Sequence, residues 1–319
     1  MAPLQAGWMV EGHIEQFDEV AAALRHLVKV SGSRTRDVAL AMPDSAVITT
    51  KIRLPADLGE VELLRQVEAE VERLSGHSVA DMSFDYSVQG RTHAPGQNAD
   101  VEVFIAAARR ETVQDWLGLA ESAGLTPVVM DVGAEASMLA ARRLINAKHV
   151  AIASPVVALF QVGTEGASLH VTQQGEIVHV TRKTLDGALL SELMAHESGL
   201  DKTHVERQKD MESLSGGEQT DWSPFLTTLA DGLASDLDAF ISASSFRKMD
   251  TILLAADSPV LSGLQDAIRR RTFSDCLLVD PFSEMLLGPA LEGSTFQHAR
   301  HAGMLKACGL ALRRFHGSC

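Results

Sequence analysis

Three strand-like runs crowd into residues 156–182: VVALFQV (156–162), ASLHVTQ (167–173) and EIVHVTR (176–182). The first two are parted only by Gly163-Thr164-Glu165-Gly166, and the last two by the turn Gln173-Gln174-Gly175. Connections this short join antiparallel neighbours, because a parallel return needs a dozen or more residues. The runs are therefore expected to fold as a meander. Beyond them come a helix from about Leu189, a polar helical stretch and a Ser/Gly-rich loop at 213–220. A long helix is expected over 222–248, with Phe225, Leu226, Leu229, Leu233, Leu237, Phe240 and Ile241 as its stripe. TILLAA (251–256) reads as a buried strand, 260–271 as a helix, CLLVD (276–280) as a strand and 302–315 as a closing helix. This order suits a mixed α/β sheet with helices on its faces.

The first half has a different pattern. Phe17, Val20, Ala21, Leu24, Leu27 and Val28 recur at helical spacing, and Gly32 stops the run. Two β-rich runs follow, VALAM (38–42) and AVITTKIRL (46–54), parted by Pro43 and Asp44. Residues 58–74 read as an amphipathic helix with Leu58, Val61, Leu64, Val67, Val71 and Leu74 on one face. Strands at 83–89 and 101–108 flank the polar loop GRTHAPGQNA (90–99). A helix (111–123), a strand (126–132) and a further helix (134–146) complete this half. Residues 36–125 are expected to form a compact α+β unit embedded in a larger fold.

Composition narrows the function classes. Lys and Arg total 28 against 42 Asp and Glu, a formal net charge of −14. That balance argues against nucleic-acid binding, which needs a basic face, and against unaided docking on anionic lipid. Cys276, Cys308 and Cys319 are odd in number and far apart, which fits a reducing cytoplasm better than a disulfide framework. MAPLQAGWMVEGH has no basic n-region followed by an apolar core, so no signal peptide is expected, and no apolar run is long enough to span a bilayer.

Most motif-like strings have plain explanations. LSGGEQ (214–219) matches the signature loop of transporter ATPases, but no GxxxxGK[ST] phosphate loop accompanies it, so a surface loop is expected. GASLH (166–170) lacks the second glycine of a nucleophile elbow and reads as a strand. His298 and His301 have no carboxylate or thiolate to complete a metal site. Glu60, Glu62, Glu68, Glu70 and Glu72 read as the wet face of a helix, and Trp8, Trp116 and Trp222 as packing residues. The Gly163 hairpin stands apart, because bare backbone N–H groups there can approach a phosphate closely.

Several long segments resemble one family. VALAMPDSAVITTKIRLPADL (38–58), VEVFIAAARRETVQDWLGLAESAGLTPVVMDV (101–132), GEIVHVTRKTLDGALLSELM (175–194), ILLAADSPVLSGLQDAI (252–268) and MLKACGLALRRF (304–315) are similar, in order, to the type IV pilus assembly PilM family. The resemblance implies an actin-like ATPase fold: two ribonuclease-H-like halves around a cleft, related to FtsA, with an inserted α+β subdomain. On this chain 1–35 and 126–153 would be the first actin-like subdomain, 36–125 the insertion and 154–319 the second half. Family members open with a strand hairpin of the form GIDIGSSSVK. This sequence starts at the lead-in to the first helix, so the first half is expected to lack that hairpin.

The resemblance also implies a site and partners. Family members hold ATP with Mg²⁺ between the halves, which here would use Asp131, Gly163, Thr164, Ser168, Gly187 and Ser258. The sequence departs from the pattern around that site. Gln161 stands where the family has Asp, and an amide is a weak ligand for a hard dication. Asp186-Gly187 replaces a Gly-Gly pair, and Ala256-Asp257 replaces paired glycines on the adenosine side, where a ribose needs bare backbone. These changes imply a degenerate site and a pseudo-ATPase rather than an enzyme. The implied role is a cytoplasmic scaffold, peripheral at the inner membrane, that binds the N-terminal tail of PilN. That tail would lie beside the 38–54 strands and the 101–108 strand, and would connect the chain indirectly to PilO and PilP and to the pilus motors. The alternatives are an ATP-binding switch whose nucleotide state tunes partner affinity, and a relative of the cytoplasmic part of the type II secretion protein L.

Overall fold

The computed structural model describes residues 4–5, 7–10, 12–92, 99–148, 155–163, 166–173, 176–183, 223–256, 262–283, 285–286 and 303–313. The chain divides into two compact units, Met1–Glu135 and Ala136–Cys319.

In the first unit a two-residue ladder, β1 (Met9–Val10) with β2 (His13–Ile14), precedes helix α1 (Phe17–Ser31). No periodic apolar run marks this ladder in the sequence. Gly12 at its turn has φ +84°, and a Cβ there would lie 2.7 Å from Cβ of Pro43 and 2.9 Å from Oγ of Ser45. The turn is thus packed from behind. Trp8, Met9, Ile14 and Leu24 close over Val20, Ala21 and Leu119, and Nε1 of Trp116 donates to the Gly12 carbonyl at 3.4 Å. Glycine at position 32 ends α1 in the left-handed conformation its lack of a Cβ permits.

Strand β3 (Asp37–Met42) pairs in parallel with β7 (Thr126–Val132). The antiparallel sheet β4–β6–β5 is separate, built from β4 (Val47–Pro55), β5 (Met82–Thr92) and β6 (Asp100–Arg109). Strand β3, grouped by sequence with the inserted unit, therefore belongs beside β7. Pro43 and Asp44 break the chain between the two sheets, and their junction is packed by Met42, Val47, Ala108, Val132 and Ala134.

Helix α2 (Glu60–Ser75) covers the three-stranded sheet. Its buried row is Leu63, Val67 and Val71, on Val101, Val103 and Ile105 of β6. This corrects the expected stripe: Val61 is 69% exposed, and Leu64 and Leu74 are each 37% exposed. The i, i+4, i+8 row containing Leu63 won over the i, i+3 alternatives. Glu60, Glu62 and Glu72 face solvent as expected, while Glu68 and Glu70 are half-buried. Glu70 takes a two-pronged ion pair from Arg73 at 2.7 Å, which holds its carboxyl below the usual range. Helix α3 (Arg110–Ser122) leads into β7, and α4 (Gly133–Lys148) follows it.

The second unit is a five-stranded sheet of order β10–β9–β8–β11–β12. Strands β8 (Val156–Gly163), β9 (Gly166–Gln173) and β10 (Glu176–Lys183) form the expected antiparallel meander. Strands β11 (Thr251–Ala256) and β12 (Cys276–Leu278) extend it in parallel from β8. Helix α5 (Ser223–Ala243) precedes β11, α6 (Ser262–Thr272) joins β11 to β12, and α7 (Leu305–Leu312) closes the described chain.

Every residue of β11 is buried, because helices cover both faces. Ile252, Leu254 and Ala256 pack toward α5 and α6 with Ala158, Phe160 and Val162. Leu253 and Ala255 pack the other way with Val157, Leu159, Met138, Leu144, Leu305 and Cys308. The α5 stripe is as read: Leu226, Leu229, Leu233, Leu237 and Phe240 are buried, with Phe225 and Ile241 at its margin. Cys276 is buried and its thiol is pushed up to about 12 by desolvation; burial raises that of Cys308 too. Among the described residues, no helix is long and apolar enough to cross a membrane. LSGGEQ, Trp222, His298, His301 and Cys319 lie outside the described residues.

Candidate functional site

The meander, with β11 beside it, brings Gly163, Gln161 and Ser168 to one end of the sheet. Gly163 pairs with Gly166 and closes the β8–β9 hairpin. Gly166 has φ +134°, a conformation L side chains rarely adopt, so this tip needs a glycine. Two residues back, Gln161 pairs with Ser168 on β9 and with Ala255 on β11. Gln161 is half-buried, whereas Ala256, the last residue of β11, is only 3% exposed and pairs with Val162. The end of the sheet therefore presents a glycine turn flanked by an amide, a hydroxyl and a methyl group.

Ser168 lies 2.9 Å from Nε2 of His170, which is wholly buried in β9. The pair sits within a strand, as read from GASLH. Asp131 lies on β7 in the first unit, half-buried, and accepts the amide proton of Val132 at 2.8 Å. Thr164, Asp186, Gly187, Asp257 and Ser258 lie outside the described residues.

Among the described residues at the β8–β9 end, Gln161, Gly163, Gly166 and Ser168 contribute no carboxylate, whereas Mg²⁺ takes charged oxygen ligands beside its waters. Among the described residues, no group of three or more His, Cys, Asp or Glu is placed to hold a metal.

The first unit carries a different kind of opening. Strand β4 pairs with β6 on one side only, and β3 with β7 on one side only, among the described residues. Neither strand has a second ladder partner among the described residues, and a strand edge of that kind is a surface an extended peptide can add to. The two are linked by a contact the sequence did not reveal. Asp44, in the short connection between β3 and β4, accepts the amide proton of Ala134 at 2.7 Å. Ala134 lies in the first turn of α4, where backbone N–H groups lack helical partners, so Asp44 acts as a remote cap. The Pro43-Asp44 dipeptide looked like simple punctuation; nothing local links it to a helix some ninety residues on.

Comparisons place this geometry. A model of the family described as type IV pilus assembly protein PilM matches residues 1–315. A solved structure described as a PilM-PilN type IV pilus biogenesis complex superposes with a TM-score of 0.75 at 25% identity, over 98% of this chain and 89% of that one. The cytoplasmic domain of EpsL, an inner membrane component of the type II secretion system of Vibrio cholerae, gives a TM-score of 0.41 at 12% identity, over 94% of this chain and 82% of that one. A Bacteroides thetaiotaomicron protein with an actin-like ATPase fold and unknown function gives 0.39 at 11%, over 82% and 76%. The mixed α/β architecture is shared with the solved structure from the PilM-PilN complex over nearly the whole chain.

Proposed function

This chain belongs to the type IV pilus assembly protein PilM family, and on that premise we propose that it is a pilus-assembly scaffold that binds the N-terminal cytoplasmic tail of PilN. The observation that carries the reading is the match of nearly the whole chain to the PilM of a PilM-PilN complex. The open edges of β3 and β4 support it, since a tail in extended form gains main-chain hydrogen bonds there and needs no catalytic residue. In this reading residues 47–125 form the inserted subdomain, 1–46 and 126–153 the first actin-like subdomain, and 154–319 the second half. Binding PilN would hold the chain at the inner membrane, next to PilO and PilP and within reach of the motors.

The scaffold is proposed to work without nucleotide turnover. Phosphoryl transfer depends on positioning and on neutralising phosphate charge, which Mg²⁺ largely supplies. Gln161 in place of a carboxylate removes the residue best placed to organise that ion. The β8–β9 tip keeps its two glycines, which favours a second reading: a switch that holds ATP without efficient hydrolysis. A titration of a synthetic PilN tail into the full chain, with and without Mg-ATP, separates the two. Saturable binding indifferent to nucleotide supports the scaffold, an affinity shifted by nucleotide supports the switch, and no binding by a folded sample refutes both.

A further inference from the structure

The chain carries 28 Lys and Arg against 42 Asp and Glu, yet residues 20–36 hold Arg25, Lys29, Arg34 and Arg36 with no acidic residue among them. Helical spacing puts Arg25 and Lys29, four apart, on one face of α1. Helix α1 ends at Gly32 and α3 ends just before Gly124, both glycines in the left-handed conformation at φ +64° and +74°. Between these helix ends lies an open hollow of about 490 Å³. Arg25, Lys29 and Arg36 line it, together with Ser33 and the two glycines. A Cβ on either glycine would meet nothing within 4 Å, so the space above both is clear.

Cations near helix C-termini ordinarily answer the helix dipole, about half a negative charge per end. Two ends thus account for about one positive charge, whereas three cations line the hollow. Part of that ordinary role is visible: Nη1 of Arg25 donates to the Ser122 carbonyl at 3.3 Å. Arg36 lies beyond the helix. Its Nη1 donates to the Ser33 carbonyl at 3.1 Å, and its own carbonyl accepts the Thr126 amide at 2.8 Å, which ties this arginine to the start of β7. Neither side-chain bond neutralises a guanidinium, because both acceptors are uncharged. Among the described residues none of the three cations forms an ion pair, and no carboxylate lines the hollow. An excess of about two positive charges therefore remains, on a chain whose net charge is −14. The caps use their own N–H groups, Gly32 on the Lys29 carbonyl at 3.4 Å and Gly124 on the Glu121 carbonyl at 2.9 Å, so recognition falls to the side chains.

We propose that this hollow binds a phosphate-bearing anion, either a free compound or the headgroup of an anionic phospholipid. Guanidinium forks match phosphate oxygens two at a time, and a lysine adds a point charge. A hollow of this size holds a small ligand, which favours a compact anion over an acidic protein surface. Its residues all belong to the first unit and the Gly163 tip to the second, so the two share no residue. The site stands independently of PilN binding.

Calorimetric titration of the full chain with sodium pyrophosphate at low salt tests the site. The wild type should bind with a dissociation constant on the order of 0.1–1 mM, weakening as salt is added. Lys29→Glu should weaken binding roughly tenfold, and Lys29→Arg should retain it. The Lys29 side chain makes no hydrogen bond or ion pair among the described residues, so both variants should melt close to wild type, which separates lost binding from lost folding. Lys248→Glu, at an exposed cation of the second unit, is the control and should bind as wild type does. Sedimentation with phosphatidylglycerol vesicles, against phosphatidylcholine vesicles, identifies the source. Lys29-dependent sedimentation with phosphatidylglycerol alone supports a headgroup, and pyrophosphate binding without sedimentation supports a free phosphate compound. No binding of either probe, a Lys29→Glu chain that binds both like wild type, or a Lys248→Glu chain weakened equally overturns the proposal. Tighter Lys29-dependent binding of poly-glutamate would overturn it too, and assign the hollow to an acidic peptide.

Discussion

Gly309→Ala is expected to disrupt the second unit, and the structure sets the size of the effect. A Cβ built on Gly309 in α7 would lie 1.6 Å from the carbonyl oxygen of Ala136 in α4, and 2.4 Å from its carbonyl carbon. Attractive heavy-atom contacts are about 3.5–4.0 Å, so α7 would have to withdraw by roughly 2 Å. Both opposing atoms are backbone in the first turns of a helix, and cannot turn aside as a side-chain end could. Withdrawal unseats Leu305 and Cys308, 2% and 7% exposed, from their packing with Val279, Leu144 and Leu253. Burying a leucine side chain contributes about 1.5–3 kcal/mol and a cysteine less, so losing most of both costs about 2–4 kcal/mol. That is a large share of the roughly 5–15 kcal/mol by which a domain is stable. Urea unfolding followed by circular dichroism measures it. Gly118→Ala is the control: the atom nearest its Cβ is Phe17 Cζ at 3.9 Å, and removing a mid-helix glycine from α3 should stabilise by about 0.5–1 kcal/mol. A Gly309→Ala chain within about 1 kcal/mol of wild type would refute the packing argument.

Three further outcomes follow from particular contacts. Asp44→Ala removes the remote cap on α4 and should destabilise by about 1–2 kcal/mol, whereas Asp44→Asn, which keeps an acceptor, should recover much of it; thermal melts compare them. Gln161→Asp should tighten Mg-ATP binding in calorimetry if the glycine tip still grips phosphate, and leave binding unmeasurable if the rest of the site is lost. Cys276, with its thiol pushed up to about 12 by burial, is roughly one part in ten thousand thiolate at pH 8. Iodoacetamide should leave it unlabelled in the native chain while unfolding in urea exposes it, as peptide mass spectrometry will report.

The sequence was most legible where local pattern and tertiary role coincide. TILLAA is apolar at every step because β11 is covered on both faces, and α5 shows its buried stripe without ambiguity. The meander was legible because its turns are too short for any other return. Pairing across long separations was not: VALAM looks the same whether it joins β4 or β7, and only packing around Met42 and Val132 decides. On α2 apolar residues occur on two overlapping faces, so periodicity alone could not choose Leu63 over Val61 and Leu64. Around the candidate site, Gln161 and Gly163 were visible as letters, but the buried Ala256 beside them and the cap from Asp44 emerge only from register and contact.

The central claim is that this chain is a PilN-binding scaffold of the pilus machine. The most direct measurement is a fluorescence-anisotropy titration of a labelled PilN N-terminal peptide with the full folded chain, repeated in saturating Mg-ATP. The account predicts saturable binding with the same affinity in both conditions. A peptide that stays unbound at every concentration of folded chain would contradict it.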